Sequence, residues 1–294
     1  MNAATRWSGG PPPPDRPAWE EAEDPTPSPP SGPAPDPAVG LRGARLRGLR
    51  RRITWRKLVT VPGAVVVILL LTWLYVSDTH LDSIARNSLS GGNVQLRLWQ
   101  HIQLTAISTF WVLVIALPLG IALTRPALRK AAPGVTALAN IGQAAPAIGL
   151  LALLVIWLGI GPSTAIAGMV VYAVLPVLAN TVAGLRAIDP GLVEAAKGIG
   201  MSGRGTLARV ELPLAVPLIL AGVRTALVLN VGTATLATFG GGGGLGDLIT
   251  SGIQTQRMPV LIIGSVLTVC LALIVDWLAS LVEVVLTPHG LETI

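Results

Sequence analysis

The chain has 294 residues, 51% of them hydrophobic and only 12% charged, with a formal net charge of +6. Soluble domains carry about 25% charged residues, and here most charges sit in the first 57 positions or in short loops, which excludes a water-soluble fold for the remainder. The basic residues flank apolar runs, a membrane-orientation pattern that argues against nucleic acid as a partner, while a single cysteine (Cys270) and the scattered His80, His101 and His289 exclude an intrachain disulfide and the close ligand spacing of a metal site.

Residues 1–40 hold half of the 24 prolines and almost no large aliphatic side chains. Such a segment buries too little apolar surface to offset its ordering entropy. A disordered, Pro-rich cytoplasmic tail is therefore expected over 1–57, closing with the basic stretch Arg42 to Lys57; a Pro-rich ligand for an adaptor is the rival reading. No A-x-A-like cleavage site closely follows the first apolar run, so 58–77 reads as an uncleaved span and 58–94 as that span with its outer loop.

Further apolar runs lie at 98–123, 135–159, 162–185, 212–238 and 259–286. A bilayer core of about 30 Å needs roughly 20 residues of helix, and each run meets that length. Period-2 alternation is absent, and backbone groups in hydrocarbon must pair internally. The predicted fold is therefore all-α, a polytopic transmembrane helical bundle of about six spans. Pro118, Pro146, Pro176 and Pro217 lie in or near the spans and are expected to kink them.

The basic residues orient the bundle. With a cytoplasmic N-terminus, the inner segments hold Arg42 to Lys57, then Arg125, Arg129 and Lys130, then Arg186, Lys197, Arg204 and Arg209; the outer segments hold Arg86, Arg97 and Arg257. That asymmetry predicts both termini inside, with 288–294 a short cytoplasmic tail.

Between the fourth and fifth spans runs AIDPGLVEAAKGIGMSGRGTLARVELPLAVP. Asp189-Pro190 has the form of a helix start, an N-cap followed by Pro at the first helical position. A short helix is expected over Leu192–Lys197, broken by glycines at 198, 200, 203 and 205. Such a helix across the membrane face could seat in a groove of a motor subunit. Ala195 and Ala196 would allow close approach, and Glu194 would offer a carboxylate for an ion pair.

These residues resemble the EAA loop of ATP-binding-cassette (ABC) importer permeases: E-A-A, three residues, G, nine residues, I, one residue, L-P. Here the pattern falls on Glu194, Ala195, Ala196, Gly200, Val210, Leu212 and Pro213, with Val210 in place of Ile as the one departure. GQAAPAIGLLALLVIWLGIG from Gly142 and GVRTALVLNVGTATLATFGGGGGLGDLI from Gly222 resemble the osmoprotectant permeases of that family. The likeness covers roughly 95–287, the permease core, with the coupling loop at 189–213. It implies a type I importer permease fold and import of a quaternary ammonium solute such as glycine betaine, choline, carnitine or proline betaine. It also implies, as partners, a cytoplasmic ABC ATPase dimer, an extracytoplasmic substrate-binding protein and a second permease chain, identical or related. No reaction is catalysed on the solute. ATP and magnesium would sit on the partner ATPase, with no cofactor on this chain. A permease for methionine, phosphonate or a sulfonate is the first alternative. A stand-alone secondary transporter is the second, although more intramembrane ionisable groups would then be expected.

The run Phe239 to Asp247 holds Gly243, Gly244 and Gly246 but lacks the G-K-[ST] of a phosphate loop, so ATP is not its ligand. A flexible turn into an external helix over Leu245–Gln254 is expected; by resemblance it lies near the external gate. Arg224 and Asp276 are charges within spans. At 1.5 Å per residue they lie about 18 Å and about 15 Å deep, so a structural ion pair is expected, with a cation-attracting role for Asp276 as the alternative. Gln143, Asn180, Asn230, Thr233 and Thr235 are polar groups within spans, either tying helices together or lining a path. Pro146, Trp157 and Tyr172 complete the candidate path, and Trp157, Tyr172 and Phe239 are the nearest aromatic candidates to cage a quaternary ammonium.

Overall fold

The computed structural model describes residues 55–286; the expected tail, the basic stretch before it ends and the last eight residues lie outside the described part. Among the described residues the structure is helical, with no strand. The helices are α1 (Trp55–Asp78), α2 (Ser83–Ser88), α3 (Gly91–Thr124), α4 (Ala132–Ala144), α5 (Ala147–Leu158), α6 (Pro162–Arg186), α7 (Pro190–Gly198) and α8 (Gly203–Thr206). A π-helical turn (Leu207–Glu211) joins α8 to α9 (Leu212–Thr233), and a 3-10 turn (Leu236–Gly240) leads to α10 (Leu245–Gln254) and α11 (Met258–Leu286).

Five of these stretches are long and apolar enough to cross a membrane alone. The run expected as one span over 135–159 is instead two helices, α4 and α5, bent by 98° at Ala145-Pro146. Proline lacks an N–H and disfavours helical backbone in the residue before it; Ala145 accordingly takes extended dihedrals and closes α4. Two further boundaries move. The second span begins at Gly91, seven residues earlier than its apolar run suggests, and the fifth ends at Thr233 instead of 238, because the chain there turns into the 3-10 segment.

The bundle has two distinct ends. The near end gathers Leu123, Ala132 and Val182 in one buried cluster with the close of α3, the start of α4 and the close of α6. At the far end the Gly161 N–H donates to the Gly240 carbonyl at 2.8 Å, joining the α5–α6 turn to the 3-10 turn after α9. The broken pair α4–α5 therefore leads from near end to far end and acts as one bent crossing. Asp82, just beyond α1, pairs with Arg257, just before α11, so α1 starts and α11 finishes at the near end.

Helix α6 is the central element, with thirteen of its residues buried. Between lipid-solvated helices the hydrophobic effect gives little drive, and close van der Waals packing replaces it. Small residues make that possible: a Cβ on Gly222 of α9 would come within 2.7 Å of the Asn180 Cβ on α6, and one on Gly120 of α3 within 2.8 Å of the Thr181 Cβ. By contrast, only Val65 is buried among the described side chains of α1.

Candidate functional site

The near-end loop is built by local capping. The Asp189 carboxylate accepts from the Gly191 N–H at 2.8 Å and Pro190 occupies the first turn, so α7 starts sharply and runs to Gly198, wider than the expected 192–197. Gly200, at φ +92, turns the chain, a left-handed conformation that costs other residues strain. The glycines break the helix as expected at Gly198 and Gly200 but not at the next two. Gly203 and Gly205 lie within α8, which Ser202 caps by accepting from the Gly205 N–H at 3.2 Å.

The two alanines of the motif part company. Ala196 is 6% exposed and packs into its own chain, so the expectation that it faces a partner is corrected. Ala195 and Glu194 are exposed, and with them Leu192 and Ile199, the latter at 78%. Helical geometry explains why the two alanines differ, since successive residues step by about 100° around the axis. Leu212 and Pro213, half-buried, begin α9. Directly before them Glu211, 7% exposed, accepts two hydrogen bonds from Arg125 at the close of α3, one of them at 3.2 Å.

At the far end the glycine run is tied down along its length, against the expectation of a flexible turn. The Gly242 N–H donates to Ala237 O at 2.8 Å, the Gly244 N–H to Gln100 Oε1 at 3.3 Å, and the Leu245 N–H to His101 Nδ1 at 3.3 Å. That last bond leaves Nε2 of His101 to donate to Val231 O, 3.0 Å away. Arg97 pairs with Asp247, whose other oxygen accepts from the Thr238 hydroxyl. A Cβ on Gly246 would lie 2.1 Å from Thr235 O, so close approach requires glycine there. Phe239 is half-exposed beside this loop, while Gly243 meets Gln100. Beyond it, the Arg257 guanidinium beside Asp82, reinforced by the Ala85 N–H, holds that carboxyl below the usual carboxylate range.

Arg224 and Asp276 stand side by side, Nε to Oδ1 at 2.6 Å and Nη2 to Oδ2 at 2.7 Å, a two-pronged pair. Glu283, two turns further along α11, approaches the same guanidinium at 3.5 Å. The pair is more than a third exposed on the outside of this chain. It borders a cavity of about 330 Å³ lined also by Thr225, Val228 and Leu229, and Glu283 borders another of about 540 Å³ with Asp189, Leu192, Leu218 and Ala221.

The other path candidates are scattered. Asn230 is fully buried and donates to the Thr109 hydroxyl at 2.9 Å, tying α9 to α3. Asn180 donates to Pro176 O, Thr233 to Leu229 O and Thr235 to Gly232 O, each within its own turn. Tyr172 and Thr233 share a cavity of about 10 Å³, too small for a solute. Gln143 is half-buried and Pro146 exposed at the bend of α4 and α5. Trp157 is 81% exposed at the far tip of α5. Among the described residues the one aromatic ring pair is Phe110–Trp111, so Trp157, Tyr172 and Phe239 form no cage.

Sequence reasoning passed over Arg97, Gln100, His101, Arg125, Glu211 and Glu283. One signal was present: His101, Thr105, Ser108 and Thr109 recur at helical spacing on an apolar helix, and all four are buried. A polar stripe within a span faces protein and not lipid.

Residues 116–284 match the family of binding-protein-dependent transport system inner membrane components. The glycine betaine/carnitine/choline transport system permease protein of Bacillus subtilis is 39% identical over 203 residues, which is 69% of this chain and 93% of that protein. The osmoprotectant import permease protein of Salmonella typhimurium is 39% identical over 230 residues, 78% of this chain and 96% of that one. Among solved structures, a chain of the inward-facing MetNI methionine ABC transporter superposes with a TM-score of 0.59 at 27% identity, covering 66% of this chain and 96% of its own.

Proposed function

The chain belongs to the family of binding-protein-dependent transport system inner membrane components, and from that premise we propose that it is the membrane path of an ATP-driven importer of quaternary ammonium osmoprotectants. One observation carries the mechanism: a capped helix at the near end buries Ala196 in its own chain and presents Leu192, Glu194, Ala195 and Ile199 outward. That face fits a groove on a cytoplasmic ATPase dimer, which closes as it binds ATP with magnesium and reopens after hydrolysis. The near end is then cytoplasmic. Arg125, Arg129, Lys130, Arg186, Lys197, Arg204 and Arg209 belong to it, against Arg86, Arg97 and Arg257 at the far end, and the excess of basic residues supports that orientation. Six crossings, one of them bent, bring both ends of the described chain to the cytoplasm.

The relatives' named solutes support glycine betaine, choline or carnitine as cargo. With no aromatic cage formed here, selectivity rests with an extracytoplasmic binding protein that docks at the far end. A second permease chain, identical or related, faces α9 and α11. Arg224 and Asp276 support this, because charged groups so exposed would otherwise meet hydrocarbon, where even one such side chain costs roughly 3 kcal/mol. The solute passes between the two chains as they alternate between outward and inward openings.

The test is reconstitution of the whole complex in liposomes, with uptake of labelled glycine betaine, choline, carnitine and methionine compared. ATP-dependent uptake of one of the first three, needing the binding protein, is the expected result. Uptake by this chain alone on an ion gradient would overturn the proposal, and preference for methionine would overturn the cargo.

A further inference from the structure

Helix α3 carries an ion pair at each end, and both pairs reach the same neighbour in sequence. At the near end Arg125 holds Glu211, the last residue of the π-helical turn between the coupling loop and α9. At the far end Arg97, Gln100 and His101 hold the close of α9 through Val231, the loop after it through Gly244, and the start of α10 through Leu245 and Asp247. Between them Thr109 accepts from Asn230 of α9. From Arg97 to Arg125 the helix spans about 40 Å at 1.5 Å per residue. A π-helical turn is rare and concentrates at functional sites, because its extra residue lets a helix change register. Here it lies where force from α7 would enter α9.

We propose that Arg125 and Glu211 are positioning residues for transport, making α3 a connecting rod through which the coupling loop sets the far-end loop that Arg97, Gln100 and His101 clasp. The polar clasps, at both ends of α3 and near its middle, make α3 and the α9 segment move as one body. Loosening the near-end pair releases α3 from the coupling loop, and the far-end loop then opens more often. This deepens the reading of the near-end loop as the motor contact, and it goes beyond that reading by naming the route across the bundle.

Cys270 is the only cysteine in the sequence and is buried, so a reporter thiol is easily installed. The experiment places Leu248→Cys, a 2% exposed position on α10, in a Cys270→Ala background. Labelling by a water-soluble maleimide is timed on the full chain in nanodiscs, without ATPase or solute. Glu211→Gln is expected to speed labelling by roughly tenfold, the scale set by losing one charge-assisted hydrogen bond. Arg97→Ala should do the same from the other end, and the Arg125→Glu/Glu211→Arg exchange should return the rate toward that of the parent. A purely local role for Glu211 would leave the thiol, at the opposite end, unmoved. If Arg97→Ala speeds labelling while Glu211→Gln and Arg125→Lys, both recovered as monodisperse protein, leave it unchanged, the rod is overturned. Should Glu211→Gln fail to fold, Arg125→Lys keeps the charge while loosening the two-pronged contact, and its rate decides alone. Because no solute or ATPase is used, failed uptake in the complex and failed linkage across α3 remain separate results.

Discussion

Gly246 is the position where one added carbon does most harm. A Cβ there would sit 2.1 Å from a backbone carbonyl oxygen, and neither partner is a side chain that can swing away. Gly246→Ala should therefore lower the unfolding temperature in detergent, at a cost of about 1–3 kcal/mol or more, whereas Gly198→Ala, with nothing within 4 Å of the new carbon, should be neutral. Asp189→Ala removes the cap of α7 and should cost the loop about 1 kcal/mol; solute uptake in the complex falls while membrane insertion is kept. At the far end the Asp82 carboxylate, held below its usual range by Arg257, adds stability that is fully present above the ordinary carboxylate pKa of about 3.9 and is lost as pH falls through its lower folded value. Hydrogen exchange at the Ala85 amide should accordingly be protected alike at pH 5 and 7. A marked loss of protection already at pH 5 would contradict the assignment.

At the scale of an element, the proposed docking helix α7 carries both exposed and buried side chains. Leu192 within it and Ile199 at its C-cap are exposed large apolar side chains, while Ala196 is buried. Ile199→Asp or Leu192→Asp should weaken association with the ATPase by about tenfold or more, read as a Kd by pull-down or interferometry, and leave the permease's own thermal stability within about 0.5 kcal/mol. Ala195→Trp should behave as they do. Ala196→Trp should instead destabilise the loop itself, by overpacking a filled site. Were Ala196→Trp to spare stability and abolish only ATPase binding, the inward placement of Ala196 would be wrong.

Across the whole molecule, the Arg224, Asp276 and Glu283 cluster joins α9 to α11 on a face that this chain leaves half-open. Removing the cation takes away the partner that Asp276 and Glu283 share, whereas removing one carboxylate leaves the other within reach of the guanidinium. Arg224→Leu should therefore reduce the yield of assembled complex more than Asp276→Asn, and the Arg224→Asp/Asp276→Arg exchange should recover part of it; equal losses with no recovery would argue against the pair. The sequence by itself determined the helical membrane class, since long apolar runs admit no other backbone arrangement in hydrocarbon, and it located the capped helix that follows Asp189, because an Asp-Pro cap is local in the chain. It also placed Arg224 and Asp276 at matching depths, which follows from rise per residue alone. What hydropathy could not reveal was the 98° break at Pro146 within one apolar run, the inward turn of Ala196, and the clasp of the glycine loop by Arg97, Gln100 and His101. The break at Pro146 is a local proline effect that hydropathy does not score, and the burial of Ala196 comes from the folding of its own loop; the clasp depends on side chains more than a hundred residues apart meeting in space, and apolar periodicity records how a helix faces its surroundings without saying which helix it faces.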